Sequence, residues 1–243
     1  MNKPTFMRFF QVLVLPLLFV LGVIGERSGV LEELFSYREE VLYLVGQHIE
    51  LVLLSGGIAI LIGVPLGVAL SRPRFALYAE TAMQGLNIGS TVPTLAILAL
   101  SMSVLGIGAV PAVFALSIAS LLPIVRNTYA GLLDVPAHLK EAASGIGMAP
   151  MQMLFRVELP NALYVIFAGI RTALAINVGT VPLAFLIGGG GLGELIFTGI
   201  DLDEPFMMLA GAIPTAGLAI VVDIVIATLA FLIVPKGVNP LRA

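Results

Sequence analysis

Forty-five consecutive residues, Thr81 to Val125, carry no charged side chain. The hydrocarbon core of a bilayer takes about 20 apolar residues per helix, so this run fits two spans joined near Gly106, Gly108 and Pro111, where the backbone turns most easily. Other stretches follow the same rule. Leu51–Leu70 is one, Asn161 to about Ile187 a second interrupted by Arg171, and Phe206–Val234 a third interrupted by Asp223. A shorter run, Phe9–Ile24, precedes them, behind Lys3 and Arg8. It reads as a retained helix and not a cleaved leader, because no small-x-small cleavage site precedes Glu26. The expected fold is an all-α integral membrane protein of about six transmembrane helices, or five if the first is removed. Composition agrees: 11% of residues are charged, against about a quarter in soluble domains, and the mean hydropathy is +1.08.

Basic residues orient the helices. With the N-terminus inside, Lys3, Arg8, Arg72, Arg74, Arg126, Lys140, Arg156, Lys236 and Arg242 face the cytoplasm, and only Arg27 and Arg38 face out. Short loops follow this bias, so both termini are expected in the cytoplasm. The outer loops are acidic instead, with Glu26, Glu32, Glu33, Glu39 and Glu40 before the second helix. Three parts follow: residues 1–44, an N-terminal helix and acidic outer loop; residues 45–236, the transmembrane domain; and residues 237–243, a cytoplasmic tail. A net charge of −3, dispersed along the chain, excludes a nucleic-acid surface. The absence of cysteine excludes disulfides and thiolate chemistry. No repeat of one half appears in the other, and a single copy of six helices forms a pathway most naturally with a second subunit. Gly63 with Gly67, and Gly85 with Gly89, have the spacing of close helix contacts, within the chain or between chains.

The longest cytoplasmic segment, Asp134–Pro160, carries the most information. Asp134 is placed to cap a helix running through Lys140 to Ser144, Gly145 and Gly147 to stop it, and Pro150 to open a second short helix ending before Pro160. Within it, Glu141-Ala142-Ala143, Gly147 and, after nine residues, Val157-Glu158-Leu159-Pro160 resemble the EAA loop of ABC importer permeases, with Val157 where isoleucine is usual. The resemblance implies a type I importer permease with a cytoplasmic coupling helix. It also implies that Glu141, Ala142, Ala143, Gly147, Leu159 and Pro160 meet a groove on a cytoplasmic ATPase dimer. LLPIVRNTYAG at 121–131, GIRT at 169–172, Ile176 to Thr180, GGGGLG at 188–193 and LAGAIP at 209–214 resemble the permeases for glycine betaine, choline and related osmoprotectants. Methionine importer permeases share the EAA loop and a glycine-rich turn, and remain the alternative. By resemblance the partners are that ATPase, a second permease chain, identical or paralogous, and an extracytoplasmic solute-binding protein, at a bacterial or archaeal inner membrane.

Other motifs carry less. No Gly-Lys pair exists, so a Walker loop is excluded and ATP with its Mg belongs to the partner; this chain needs no cofactor of its own. Gly188, Gly190 and Gly193 fit GxGxxG, but they end an apolar helix where a dinucleotide site follows a strand. His48 and His138 stand alone, which argues against a metal site. No nucleophile, base and orienting group recur together, so no covalent chemistry is expected. Asn87, Ser90, Thr91 and Thr94 around Pro93, and Asn177 and Thr180 near Pro182, either line a hydrated pathway or bond between helices. Arg171 and Asp223 lie at matching depths, each roughly 15 Å from the cytoplasmic end of its helix at 1.5 Å per residue, and are expected to pair, between these two helices or across a dimer interface, as a structural link in preference to a substrate contact. Aromatic faces hold quaternary ammonium groups, yet the outer loop offers only Phe35, Tyr37 and Tyr43. A channel or scaffold without a motor is the competing reading from another class.

Overall fold

The computed structural model describes residues 29–238, and all regular structure in them is helical. The expected first span, Phe9–Ile24, and the tail after residue 238 lie outside the described residues.

Four helices among the described residues are long and apolar enough to cross a bilayer, five if one bent pair counts as a span. The described residues begin with α1 (Val30–Ser36), followed by α2 (Arg38–Leu70). The acidic segment expected as a loop is thus helical from Val30 onward. Glu32 and Glu33 lie in the first turn of α1, Glu39 and Glu40 in that of α2, where carboxylates complement the positive end of a helix. At 33 residues α2 is about 50 Å long, more than the roughly 30 Å of hydrocarbon it has to cross.

The uncharged run from Thr81 to Val125 divides differently from a plain hairpin. Its first part is two helices, α3 (Ala76–Gly89) and α4 (Thr94–Leu105), bent by 94° across Ser90–Pro93. Pro93 stands at the break. It holds an extended backbone at the start of α4, and the residue before a proline is pushed away from helical geometry. The turn expected at Gly106–Gly108 is present and leads into α5 (Ala109–Leu133).

Then come α6 (Ala137–Gly145) and α7 (Pro150–Met153). A π-helical turn, Leu154–Glu158, joins α7 to α8 (Leu159–Thr180), and a 3₁₀ segment, Val181–Ile187, extends it. From Pro150 to Ile187 this forms one continuous rod of 38 residues. After the glycine-rich turn, α9 (Gly193–Asp201) and α10 (Pro205–Ile233) complete the described chain.

The core forms where α5 lies between α2 and α8. Ala59, Ile124, Ala162, Ile166 and Ala173 pack in one cluster, and Leu51, Leu98, Leu116, Val178 and Val181 in another. Gly63 and Gly67 sit on this seam: a β-carbon at Gly63 would lie 2.8 Å from Ile124, and one at Gly67 2.6 Å from Thr128. Of the two readings of that motif, packing within the chain is the one observed. Gly85 and Gly89 have nothing comparable near them. Outer faces of α10 remain apolar and exposed, among them Ile213, Ile220, Ile224 and Leu232.

Candidate functional site: the coupling element and the polar groups of the spans

The segment between α5 and α8 is compact and tied to its neighbours. Asp134 closes α5, its N–H bonding to the Ala130 carbonyl, so it does not cap α6 as the sequence led us to expect. Pro136 takes over that place: its extended backbone leads into Ala137, and its carbonyl accepts the Leu139 N–H at 3.1 Å. At the far end Gly147 has φ +77° and donates to the Ser144 carbonyl. That left-handed geometry costs other residues about 1 kcal/mol or more, which is why glycine stands there.

Glu141 and Ala142 are exposed on α6, whereas Ala143 is buried at 4% exposure. Ala143 therefore supports the element from inside and does not offer a contact surface. Its small side chain lets α6 lie close to the π-helical turn it packs against. Leu159 is half-buried against the Ile124 core cluster, and Pro160 is half-buried beside it.

The second short helix does not stop before Pro160 as expected. It opens at Pro150, with Gln152 Oε1 accepting the Ala149 N–H, and then runs into the span through the wide turn at Leu154–Glu158. A proline ring clashes with the carbonyl four residues back in a regular α-helix. Here that residue is Arg156, inside the π-helical turn, where the extra residue relieves the contact.

Two polar links hold the element to the spans. Lys140 Nζ donates to the Leu132 carbonyl at 3.1 Å, in the last turn of α5, where a cation also complements the helix dipole. Arg72, just beyond α2, donates through Nη1 to Glu158 Oε2 at 2.5 Å, and Ser71 accepts from the same guanidinium. Glu158 is 6% exposed. The position between Val157 and Leu159 in the loop pattern thus carries a buried carboxylate, a role that its variable place in the motif conceals. Removing one partner of such a pair strands the other charge, although Arg72 keeps some solvent access. Glu158→Ala is expected to destabilise the detergent-purified protein by about 2 kcal/mol, and Arg72→Met with Glu158→Leu to recover most of that. Thermal unfolding of the three proteins checks it.

The polar residues of the spans separate into two groups. Asn177 is buried, at 1% exposure, and its amide donates to Ser120 Oγ at 2.7 Å and Ser55 Oγ at 3.0 Å. It joins α2, α5 and α8 and lines no path within this chain, so interhelical bonding is its role. Thr180 bonds back to the Ile176 and Asn177 carbonyls. His48 is fully buried beside this node, its Nε2 3.1 Å from the Val178 carbonyl. His48 and Ser55 lie two turns apart on α2 and Ser120 lies on α5, 65 positions further on, so spacing alone does not join the three.

At the bend, Ser90 Oγ donates to the Asn87 carbonyl and Thr91 Oγ1 to the Ile88 carbonyl, closing the end of α3. Asn87, Ser90 and Thr91 are exposed, and Thr94 is half-buried. Ser90 and Thr94 face a groove of about 280 Å³ shared with Leu86, Ile97, Leu122 and Ile176. Arg171 on α8 and Asp223 on α10 form a two-pronged ion pair, Nε to Oδ1 and Nη2 to Oδ2. Among the described residues no group of three His, Asp or Glu side chains is arranged to hold a metal.

Comparison with known proteins agrees with this architecture. Residues 59–235 match the family described as "Binding-protein-dependent transport system inner membrane component". The osmoprotectant import permease protein OsmY of Salmonella typhimurium is 52% identical over 216 residues, 89% of each chain. The glycine betaine/carnitine/choline transport system permease protein OpuCB of Bacillus subtilis is 42% identical over 84% of this chain and 93% of that one. Among solved structures, the MetNI methionine ABC transporter in an inward facing conformation superposes with a TM-score of 0.73 at 24% identity, covering 80% of this chain and 96% of that one. The helical frame, the exposed short helix between α5 and α8 and the family match over most of the chain together place this protein among the inner membrane components of binding-protein-dependent transport systems.

Proposed function

We propose that this chain is the permease subunit of an ATP-driven importer that moves a small quaternary ammonium osmoprotectant such as glycine betaine or choline. The observation that carries the mechanism is the short helix α6, which presents Glu141 and Ala142 while Ala143 is turned inward. A partner approaches such a surface closely and meets one carboxylate at its edge. The solute class rests on relatives named for osmoprotectants, glycine betaine or choline, which are 42–52% identical over most of the chain. The likeness to the methionine transporter is a likeness of fold.

The partners follow from the family's dependence on a binding protein. A cytoplasmic ATPase dimer holds ATP and Mg, an extracytoplasmic protein delivers the solute, and a second permease chain completes the pathway. Both termini lie in the cytoplasm, on the side of α6 and α7. Closure of the ATPase dimer moves α6. Lys140 and the Arg72–Glu158 pair pass that displacement to α5 and α2, and the π-helical turn passes it directly to α8. The spans then exchange inward and outward openings because the two states contact the ATPase differently.

The test is uptake of radiolabelled glycine betaine by proteoliposomes holding the permease, its ATPase and its binding protein. Accumulation that requires ATP and the binding protein, and that choline competes, is the expected result. Flux without ATP would establish a channel instead, and accumulation of methionine alone would establish the other solute class.

A further inference from the structure

The Arg171–Asp223 pair stands in a groove of about 490 Å³ between α8 and α10. Its side chains are 50% and 35% exposed, respectively. Charges at this depth do not face acyl chains, since each costs about 2.5–3.5 kcal/mol there even by the lowest scales. The groove therefore opens on water or on protein. Its volume lies within the roughly 300–1,000 Å³ range of small-molecule sites. Its walls are chemically specific: Tyr164 and Phe167 from α8 and Phe231 from α10 line the same space as the two charges. Tyr164 precedes Arg171 by seven residues and Phe231 follows Asp223 by eight, each about two helical turns, so aromatic and charged groups share one strip on each helix.

We propose that this groove is a subsite for a zwitterion with a quaternary ammonium head, Arg171 taking the carboxylate while Asp223 and the rings of Tyr164, Phe167 and Phe231 take the head. A methylated ammonium has no N–H to donate, so it is held by a nearby negative charge and by aromatic faces. Arginine matches a carboxylate with two parallel bonds. Because Arg171 and Asp223 neutralise each other through their two-pronged pair, a ligand carrying one charge of each sign replaces both contacts at once. A simple anion would strand Asp223, whereas choline, a cation, would use the Asp223 and aromatic side alone and compete more weakly than a zwitterion. The exchange leaves the net charge of the groove at zero and opens α8 from α10 by the size of the solute. This subsite rests on the solute class proposed above.

The experiment uses the complete assembly in proteoliposomes, with glycine betaine as probe. Arg171→Gln combined with Asp223→Asn keeps a neutral hydrogen-bonded pair and is expected to lower uptake about tenfold, as loss of charged hydrogen bonds predicts. ATPase stimulation by the solute-loaded binding protein should stay within about twofold, since α6 lies outside the groove and is unaltered. Tyr164→Leu is expected to weaken equilibrium binding of radiolabelled glycine betaine to the permease–ATPase complex in the absence of binding protein by at least about threefold. Uptake that falls only in proportion to ATPase activity, or binding unchanged in both variants, overturns the subsite. A wild-type assembly that takes up no quaternary ammonium solute overturns the functional reading and the subsite together.

Discussion

Replacing Ala142 by arginine is expected to abolish association with the ATPase and with it ATP-driven uptake, while the protein itself folds and inserts normally. Ala142 is exposed on a helix of nine residues, and its side chain is a methyl group with no polar contact to lose. Arginine is a good helix former, and exposed substitutions of this kind change stability by less than about 0.5 kcal/mol. The cost falls on the interface. A long cation in a surface shaped for a methyl group holds the partner off, and an unpaired charge desolvated there costs several kcal/mol, so a loss of at least about 100-fold in affinity is expected. Co-purification of permease and ATPase from membranes reads the association directly. Glu141→Gln separates charge from shape: it keeps the side-chain outline and should weaken association by about tenfold or less. Retention of a full complement of ATPase by the arginine variant would place the docking surface elsewhere.

Gly193→Ala is expected to be among the most destabilising single changes in the chain. A β-carbon there would lie 2.0 Å from the Pro182 carbonyl oxygen and 2.7 Å from its carbon. Both are backbone atoms of a buried segment, so no side-chain rotation makes room. Either α9 or the 3₁₀ segment has to move, and overpacking of this severity costs about 3 kcal/mol or more. Gly57 supplies the contrast. It lies inside α2 with nothing within 4 Å of an added β-carbon, so Gly57→Ala should stabilise by about 0.5–1 kcal/mol through helix propensity. The two variants are compared by yield in the membrane and thermal unfolding in detergent.

The spans were legible because a bilayer imposes one simple requirement, an uninterrupted apolar length, and Leu51–Leu70 or Phe206–Val234 meet it in plain view. The 94° bend was not. Pro93 was visible, but a proline inside an apolar run permits a kink, a break or an undisturbed helix, and packing around the corner decides. Likewise Pro160 looked like a terminator, yet the wide turn before it let the helix continue. The loop pattern places Glu141 and Ala142 on the short helix, where both are exposed, whereas spacing gave no sign that Ala143 faces inward or that Glu158 meets Arg72, 86 positions away. Long-range partners of that kind become visible only when the helices are assembled. Asn177 shows the same limit: a polar residue in a span reads alike whether it borders water or ties helices together.

The unbroken run from Pro150 to Ile187 has a mechanical corollary. At 1.5 Å per residue it measures about 57 Å, nearly twice the thickness of hydrocarbon. One end starts at the short helix pair and the other reaches the glycine corner that seats α9. A stiff member of that size needs no relay of side chains to carry a signal: swinging it by about 10° at one end sweeps the opposite end through about 10 Å. The molecule in effect owns a crank, and the distance from the short helix pair to the glycine corner is bridged by a single piece of backbone.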